Sequence, residues 1–444
     1  MKRPIEDMLQ HYEDSGMLRL HMPGHKGVHG EHDVTELSAT DNLYSPGKAI
    51  TQAQALLAKQ CGAQKSYLLT GGASLGIAAM IAGTVFSGQE LIVAENSHRS
   101  VWDACALCGI TVHVLPLKQE NGLFLPPDEK NVSEVLRKYG NAAALLITSP
   151  DYYGLCAQLN PISAMCKKYG VKLLVDQAHG AHFPYYSTLL PYDGRSGADA
   201  WVHSLHKTTG ALTQSAALHI ADLSLSERME FFLQLLGTSS PSFLLLESMD
   251  RARDEYAAFD TKAFLNRVRK LEDEISKIPG LSVLQYIHKD PTRLCIDTSE
   301  ICEGIEAAKQ LEEQGVVPEM ADLRFVVCIL TPYDSDYTRL LHALKKLRRT
   351  LYSKQNNLIC LNKNERVQSV RKAAFAKAEY LPIEKCSNRI AACCAGIYPP
   401  GIPAVVYGEK ISEKTVKYLL HAQKNDQELF GLQNGRLRVV KEDI

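Results

Sequence analysis

Lys207 closes the segment SLHK (204–207), directly after the apolar run ADAWVHSL (198–205). A lysine that ends a buried strand loses solvation, which favours its neutral, nucleophilic amine. Asp176 ends a second apolar run, KLLVD (172–176). A carboxylate so placed needs a cation or a hydrogen-bond donor opposite it. An amine able to form a Schiff base and a carboxylate able to keep a pyridine nitrogen protonated are what pyridoxal phosphate requires of its protein. The turn GGAS (71–74) adds a third part. Ser74 can open the following helix, and the backbone N–H groups of Gly72, Ala73 and Ser74 can bind a phosphate together with the helix dipole. Ser204 and His206 flank the lysine and can reach the same phosphate. His98, in ENSHRS, offers a planar ring to stack on a planar cofactor, and His179, three residues after Asp176, can meet its phenolic oxygen. Taken singly, each residue has a plainer reading: a solvated lysine, a capping aspartate, a generic glycine turn, a surface histidine.

The elements that must position these residues are legible as alternation. Short apolar runs, YLLT (67–70), LIVAE (91–95), TVHVLPL (111–117), AAALLITSP (142–150), KLLVD, ADAWVHSL and SAALHI (215–220), are separated by helical patterns such as SLGIAAMIAGTVF (74–86). Such spacing predicts an α/β fold built on a mostly parallel sheet with both faces covered. In these sheets chemistry sits beyond the carboxyl ends of the strands, where Gly71–Ser74, Asn96–His98, Asp176–His179 and Ser204–Lys207 all fall. One long helical stretch is expected from Pro241 to Ile278, then a smaller α+β unit. The predicted divisions are an N-terminal segment contributing to the site (1–45), a large domain (46–278), a small domain (279–360) and a C-terminal region (361–444). Residues 345–377 hold ten Lys/Arg and one acid, Glu365, and read as a solvated helix and linker or, alternatively, as a surface for an acidic partner.

Composition excludes several classes. In 444 residues, 45% are hydrophobic and 22% charged, a globular balance with room for two or three domains. Lys+Arg 49 against Asp+Glu 50 gives a net charge of -1, which argues against a nucleic-acid partner. No apolar run is long enough for a membrane span, and the N-terminus lacks a secretory h-region. Twelve scattered cysteines, whose single CxxC spacing (Cys105–Cys108) falls on a probable helix with no second pair to complete a zinc site, predict reduced thiols in a cytoplasmic protein. Two histidine groups invite a metal reading: His21, His25, His29 and His32, then His179, His182, His203 and His206. Pro23, Gly24, Gly27 and Gly30 deny the first group a helix, and no metal is expected.

Joined by HMPGHKG (21–27), SPDYYG (149–154), VDQAHGAH (175–182), SLHKTTGALTQ (204–214), TSSPSFLLLESMD (238–250) and YPPGIP (398–403), these motifs span nearly the whole chain. In that order the sequence resembles the pyridoxal-phosphate-dependent ornithine/lysine/arginine decarboxylases, of the aspartate-aminotransferase-like fold. The resemblance implies a seven-stranded, fold-type-I large domain. It implies that Lys207 carries the cofactor, Asp176 pairs its ring nitrogen and His98 stacks on it. Ser74, Ser204 and His206 would bind phosphate, with His179 at the ring edge. It further implies a homodimer or larger even assembly with shared sites, TSSPS (238–242) reaching the neighbour, and His25 and Lys26 near the substrate. The expected reaction turns a basic amino acid (arginine, lysine or ornithine) into its amine and carbon dioxide, a step of polyamine biosynthesis. Asp41 and Glu409 are candidates for holding the cationic head, and equally for turn carboxylates. Two departures stand out. Gln177 replaces the glutamate often found after the ring aspartate, and HMPGHK begins at residue 21, leaving no room for the receiver-like domain of longer relatives. Transamination, for which Arg389 could clamp a carboxylate, and a non-catalytic relative binding partners through 345–377 remain as rivals.

Overall fold

The computed structural model describes residues 2–350 and 364–442. Most of the large domain is one sheet of seven strands. These are β1 (Lys65–Leu69), β2 (Glu90–Ala94), β3 (Thr111–Leu115) and, after a hairpin of β4 (Gln119–Glu120) and β5 (Leu123–Phe124), β6 (Ala144–Thr148), β7 (Lys172–Asp176), β8 (Ala200–His203) and β9 (Ala216–Ile220). The order is β1-β9-β8-β7-β6-β2-β3. Only β9 runs against its neighbours, β1 and β8, so the expected mostly parallel sheet is present. Residues 91–94, 173–176 and 200–203 are buried without interruption, as strands covered on both faces must be.

Helix α1 (Pro4–Asp14) docks the N-terminus, where the Ile5 amide donates to Asp250 Oδ2 at 2.9 Å. Helix α2 (Ala49–Cys61) lies against one face of the sheet and α3 (Gly72–Thr84) against the other. The small residues of α3 have a packing reason. A Cβ on Gly76 would stand 2.8 Å from Leu69 and 3.1 Å from Val202, so the helix lies on the sheet only with glycine there. Helices α4 (Arg99–Cys108), α5 (Glu129–Lys138) and α6 (Leu159–Tyr169) fill the crossovers, and the single turn α7 (Leu205–Thr208) follows β8.

The long helix expected after Pro241 is instead two. After α8 (Ser226–Leu236) come α9 (Phe243–Ala258) and α10 (Thr261–Ser276). The break is local chemistry: Asp260 leaves helical geometry and its side chain accepts from the Ala263 N–H at 3.0 Å, capping α10. The small domain is an antiparallel four-stranded sheet of β10 (Ser282–Val283), β11 (Arg293–Asp297), β12 (Met320–Ala321) and β13 (Phe325–Ile329), with α11 (Gly304–Glu313) packed on it. The C-terminal region has its own core around Ile383, Val405, Leu419 and Leu437. Part of the basic stretch, 351–363, lies outside the described residues. Within the rest, the expected solvated face is partly docked. Arg366 donates to the Val112 carbonyl at 3.0 Å, and Arg371 caps the end of α4 at the Ala106 and Leu107 carbonyls.

Candidate active site

Strands β6, β7 and β8 end side by side, with Asp176 in register between Thr148 and Val202. Lys207 is not at the strand end itself. It rides one turn further on α7, which brings its Nζ to 3.0 Å from Nε2 of His179. Arg293, at the head of β11, places Nη2 3.3 Å from Nδ1 of the same ring. A guanidinium only donates, so Nδ1 keeps its lone pair and Nε2 carries the ring proton. That proton faces the Lys207 amine, which must therefore accept, as a neutral amine does. Electrostatics point the same way. Burial depresses the Lys207 amine, Asp176 opposes this, and Arg293 adds to the depression. Burial raises the Asp176 carboxyl against the pull of Lys207 and of the Ala178 N–H, which donates to Oδ1 at 3.1 Å. Burial, then the Lys207 and Arg293 charges, holds His179 well below its ordinary value and hence neutral.

His98 serves two purposes. Its Nδ1 accepts from the Ser100 N–H at 3.2 Å, capping α4, and burial beside Lys207 lowers the ring to about 4. The ring edge is fixed by Gly401 of YPPGIP, where φ is +78° and a Cβ would stand 2.7 Å from His98 Cδ2. Only glycine satisfies both conditions. His206 donates from Nδ1 to the Ser215 carbonyl at 2.9 Å, leaving Nε2 available. The charges of Lys207, His98 and His206 all act on His179, so these residues form one cluster.

The residues present fit pyridoxal phosphate. No side chain caps the N-terminus of α3, so the first-turn N–H groups of Gly72, Ala73 and exposed Ser74 are open to an anion. A Cβ on Gly72 would stand 3.8 Å from the Gln214 carbonyl oxygen, and Gln214 donates through Nε2 to the Thr70 carbonyl, which ties this turn to the loop after Lys207. Asp176 Oδ2 has no partner among the described residues, as a carboxylate meant for a ring N–H requires. The buried hydroxyls of Ser97, Thr148 and Thr208 are likewise unpartnered among the described residues.

Four expected substrate residues are not brought to this cluster. Asp41 is consumed by the backbone: its carboxylate accepts from the N–H groups of Asn42, Gly47, Lys48 and Ile50 at 2.9–3.1 Å, organising the entry to α2. Glu409 is half-buried in the C-terminal region, accepting from the Val406 N–H at 3.1 Å and facing Arg366 at 3.7 Å. Both arrangements support the turn-carboxylate reading. His25 pairs with Asp33 at 3.0 Å, and Lys26 donates to the His21 carbonyl, all within the N-terminal segment. Arg389 pairs with Glu379 and Glu442. Sequence reasoning missed Arg293, Tyr152 and Glu319. Arg293 had a usable signal, a charge heading the apolar run RLCID, which the structure buries completely. Glu319 had none. It acts on Lys207 and His206 through space, and its carboxylate is held by the Tyr152 hydroxyl, whose ring lies 4.5 Å from that of His179.

The fold is that of the fold-type-I enzymes, and the lysine–aspartate–histidine cluster suits pyridoxal phosphate. The family model described as Orn/Lys/Arg decarboxylase, major domain, matches residues 3–289, and that family's C-terminal domain matches 346–437. The chain belongs to this decarboxylase family. An arginine decarboxylase of Bacillus subtilis (strain 168) is 29% identical, over 99% of this chain and 98% of its own. One from Halalkalibacterium halodurans is also 29% identical, over 96% and 95%. Among solved structures, a lysine decarboxylase of Francisella novicida shares the fold with a TM-score of 0.86 at 18% identity, covering 99% of this chain and 81% of that one. Among the described residues, no helix is long and apolar enough to cross a membrane.

Proposed function

We propose that this chain decarboxylates a basic L-amino acid, arginine first and lysine or ornithine next, to the corresponding amine. The observation that carries the reading is the Lys207 amine held neutral against His179, with Asp176 buried beside it. Bound pyridoxal phosphate supplies the electron sink for the bond to the leaving carboxylate. Lys207 is the amine that anchors it. Asp176 holds a proton on the ring nitrogen, which keeps the sink charged. The α3 N-terminus, Ser204 and His206 hold the phosphate, and His98 and His179 flank the ring. Glu319 replaces Asp41 and Glu409 as the acceptor for the cationic head, because it is the exposed carboxylate whose field reaches Lys207. Relatives that are arginine decarboxylases support arginine.

One observation favours transamination. Nη1 and Nε of buried Arg293 have no partner among the described residues, and such a guanidinium can clamp a carboxylate. The products separate the two readings. Purified protein given arginine, lysine and ornithine side by side should release carbon dioxide and an amine. A keto acid without carbon dioxide would establish transamination instead.

The working form is a homodimer or larger even assembly in the cytoplasm, serving polyamine biosynthesis. In a single chain the stretch beside HMPGHK leaves Met17, Leu18, Leu20, Met22 and Val28 between 54% and 82% exposed. Apolar side chains collected on one segment need a partner surface. His25, Lys26 and exposed residues 238–240 of TSSPS would then reach the neighbour's site. An active monomer in sedimentation at assay concentration would refute the shared site.

A further inference from the structure

Behind the cofactor-facing edge of the sheet lies a second cluster that the proposed reaction does not use. Strands β8 and β9 pair antiparallel, with Trp201 opposite His219 and His203 opposite Ala217. Side chains two apart share a face, so His203 and His219 are diagonal neighbours on the side covered by α2. Their ring centroids are 4.5 Å apart. The last residue of α2, Cys61, completes the group. Gly62 takes the left-handed conformation that ends the helix there, at φ +64°. One nitrogen of each ring and the Cys61 sulfur lie within 4.8 Å of one another, and all three residues are essentially inaccessible to solvent.

The tautomer of His203 is fixed from outside the cluster. Gln177 donates through Nε2 to the Tyr192 carbonyl at 2.8 Å, and its Oε1 accepts from the Gly194 N–H at 3.0 Å. The amide therefore cannot be flipped. Its oxygen lies 3.0 Å from His203 Nε2, so Nε2 carries the proton and Nδ1 keeps a lone pair. That Nδ1 is buried and has no hydrogen-bond partner among the described residues. His219 repeats the pattern. Its Nδ1 bonds the Ser66 hydroxyl at 2.7 Å, while Nε2 is buried and unpartnered. Two buried ring nitrogens without partners among the described residues, in a group with one thiol, are costly as an empty group. As ligands they are complete, because a metal-bound histidine characteristically engages its other nitrogen with an oxygen partner.

We propose that Cys61, His203 and His219 form a buried binding site for a thiophilic d10 metal ion. One thiolate and two neutral imidazoles suit Cu(I) or Zn(II). Metal–nitrogen and metal–sulfur bonds of about 2.1 and 2.3 Å place ligand atoms roughly 3.6–3.8 Å apart, so the three need only close by about 1 Å. Binding breaks the Cys61 S–H bond, forms the metal–sulfur bond and releases one proton to solvent, with no change of oxidation state. Because the group is sealed, the ion enters during folding. Gln177 thereby gains a reason: its neutral amide oxygen fixes His203 without adding a second buried charge.

The test uses the full chain, refolded in the presence of pyridoxal phosphate. Protein is unfolded, then refolded anaerobically with reductant and either Zn2+ or Cu+, washed with chelator, and its metal counted by mass spectrometry. About one equivalent per chain is expected in at least one arm, and the arm identifies the ion. Cys61→Ser, checked for folding by circular dichroism, should lose at least about tenfold of that occupancy. If Cys61→Ser does not fold, X-ray absorption of the wild-type protein decides, with one sulfur near 2.3 Å and nitrogens near 2.0–2.1 Å expected around the ion. Less than about a tenth of an equivalent in both arms, unchanged occupancy in folded Cys61→Ser, or a shell without sulfur would overturn the proposal.

Discussion

Asp176 and Gln177 are consecutive, yet they serve opposite sides of the same sheet. Asp176 faces Lys207 at the front edge, and Gln177 faces His203 at the back. Both sides use one device, a partner of fixed polarity that decides which nitrogen of a buried histidine holds the proton. At the front Arg293 donates to His179, and the ring proton turns to an amine. At the back the Gln177 oxygen accepts from His203, and Nδ1 is left with a lone pair in the group that includes Cys61. The two sides differ in charge and access. Lys207 and His206 are partly accessible and lie within the fields of Asp176, Arg293 and Glu319, whereas His203, His219 and Cys61 are sealed. Burial of a histidine is therefore no mark of catalysis. A charged partner beside an accessible reacting group is.

Substitutions can break this contrast at the front edge. Among the residues around Lys207, the largest effect should come from Asp176→Asn, which keeps the shape and removes the charge. Turnover should fall at least about a hundredfold, since a preorganised electrostatic interaction of this type contributes roughly 3 kcal/mol. Near-normal turnover would leave the ring nitrogen without its partner. A smaller effect is expected from Glu319→Gln, with KM for the basic amino acid rising about tenfold, kcat changing less and the bound cofactor's spectrum unchanged.

Arg293→Gln should act through pH. Burial is the larger cause of the depressed Lys207 amine, and the Arg293 charge adds to it. Removing that charge lets the amine's pKa rise, so the free amine appears only at higher pH. The pH at which the apoprotein captures cofactor at half its maximal rate should move to the alkaline side. An acid shift would contradict the orientation assigned to His179. Asp41→Asn should be the mildest for catalysis, leaving KM unchanged while costing about 1–2 kcal/mol of stability in denaturant titrations, as the carboxylate accepts several backbone N–H groups.

The sequence alone displayed the sheet, because strands buried on both faces are written as unbroken apolar runs. It also displayed the residues that the structure gathers around Lys207, because Asp176 ends such a run and Lys207, His98 and His179 each follow one. Substrate acidity was not legible. Asp41 and Glu409 sat in conspicuous motifs but spend their oxygens on backbone N–H groups and Arg366, while Glu319 sits between domains, where no local pattern marks it. The back cluster was hidden for another reason. Reading His203 with His179, His182 and His206 follows sequence proximity, whereas strand pairing sends His203 to His219 and His182 to Asp290 at 3.1 Å. Cys61 joins from a helix well over a hundred positions earlier in the chain. The break at Asp260 was missed because a capping aspartate inside a charged helical run looks like one more surface residue.

The central claim is that the neutral Lys207 amine is what holds the cofactor. Borohydride reduction of the protein loaded with pyridoxal phosphate, followed by digestion and mass spectrometry, tests it directly. One covalent pyridoxyl adduct is expected, on Lys207, and none when Lys207→Ala protein is treated identically, with the variant's turnover down at least about a thousandfold. An adduct on another lysine, or a Lys207→Ala protein that still releases carbon dioxide at a comparable rate, would contradict it.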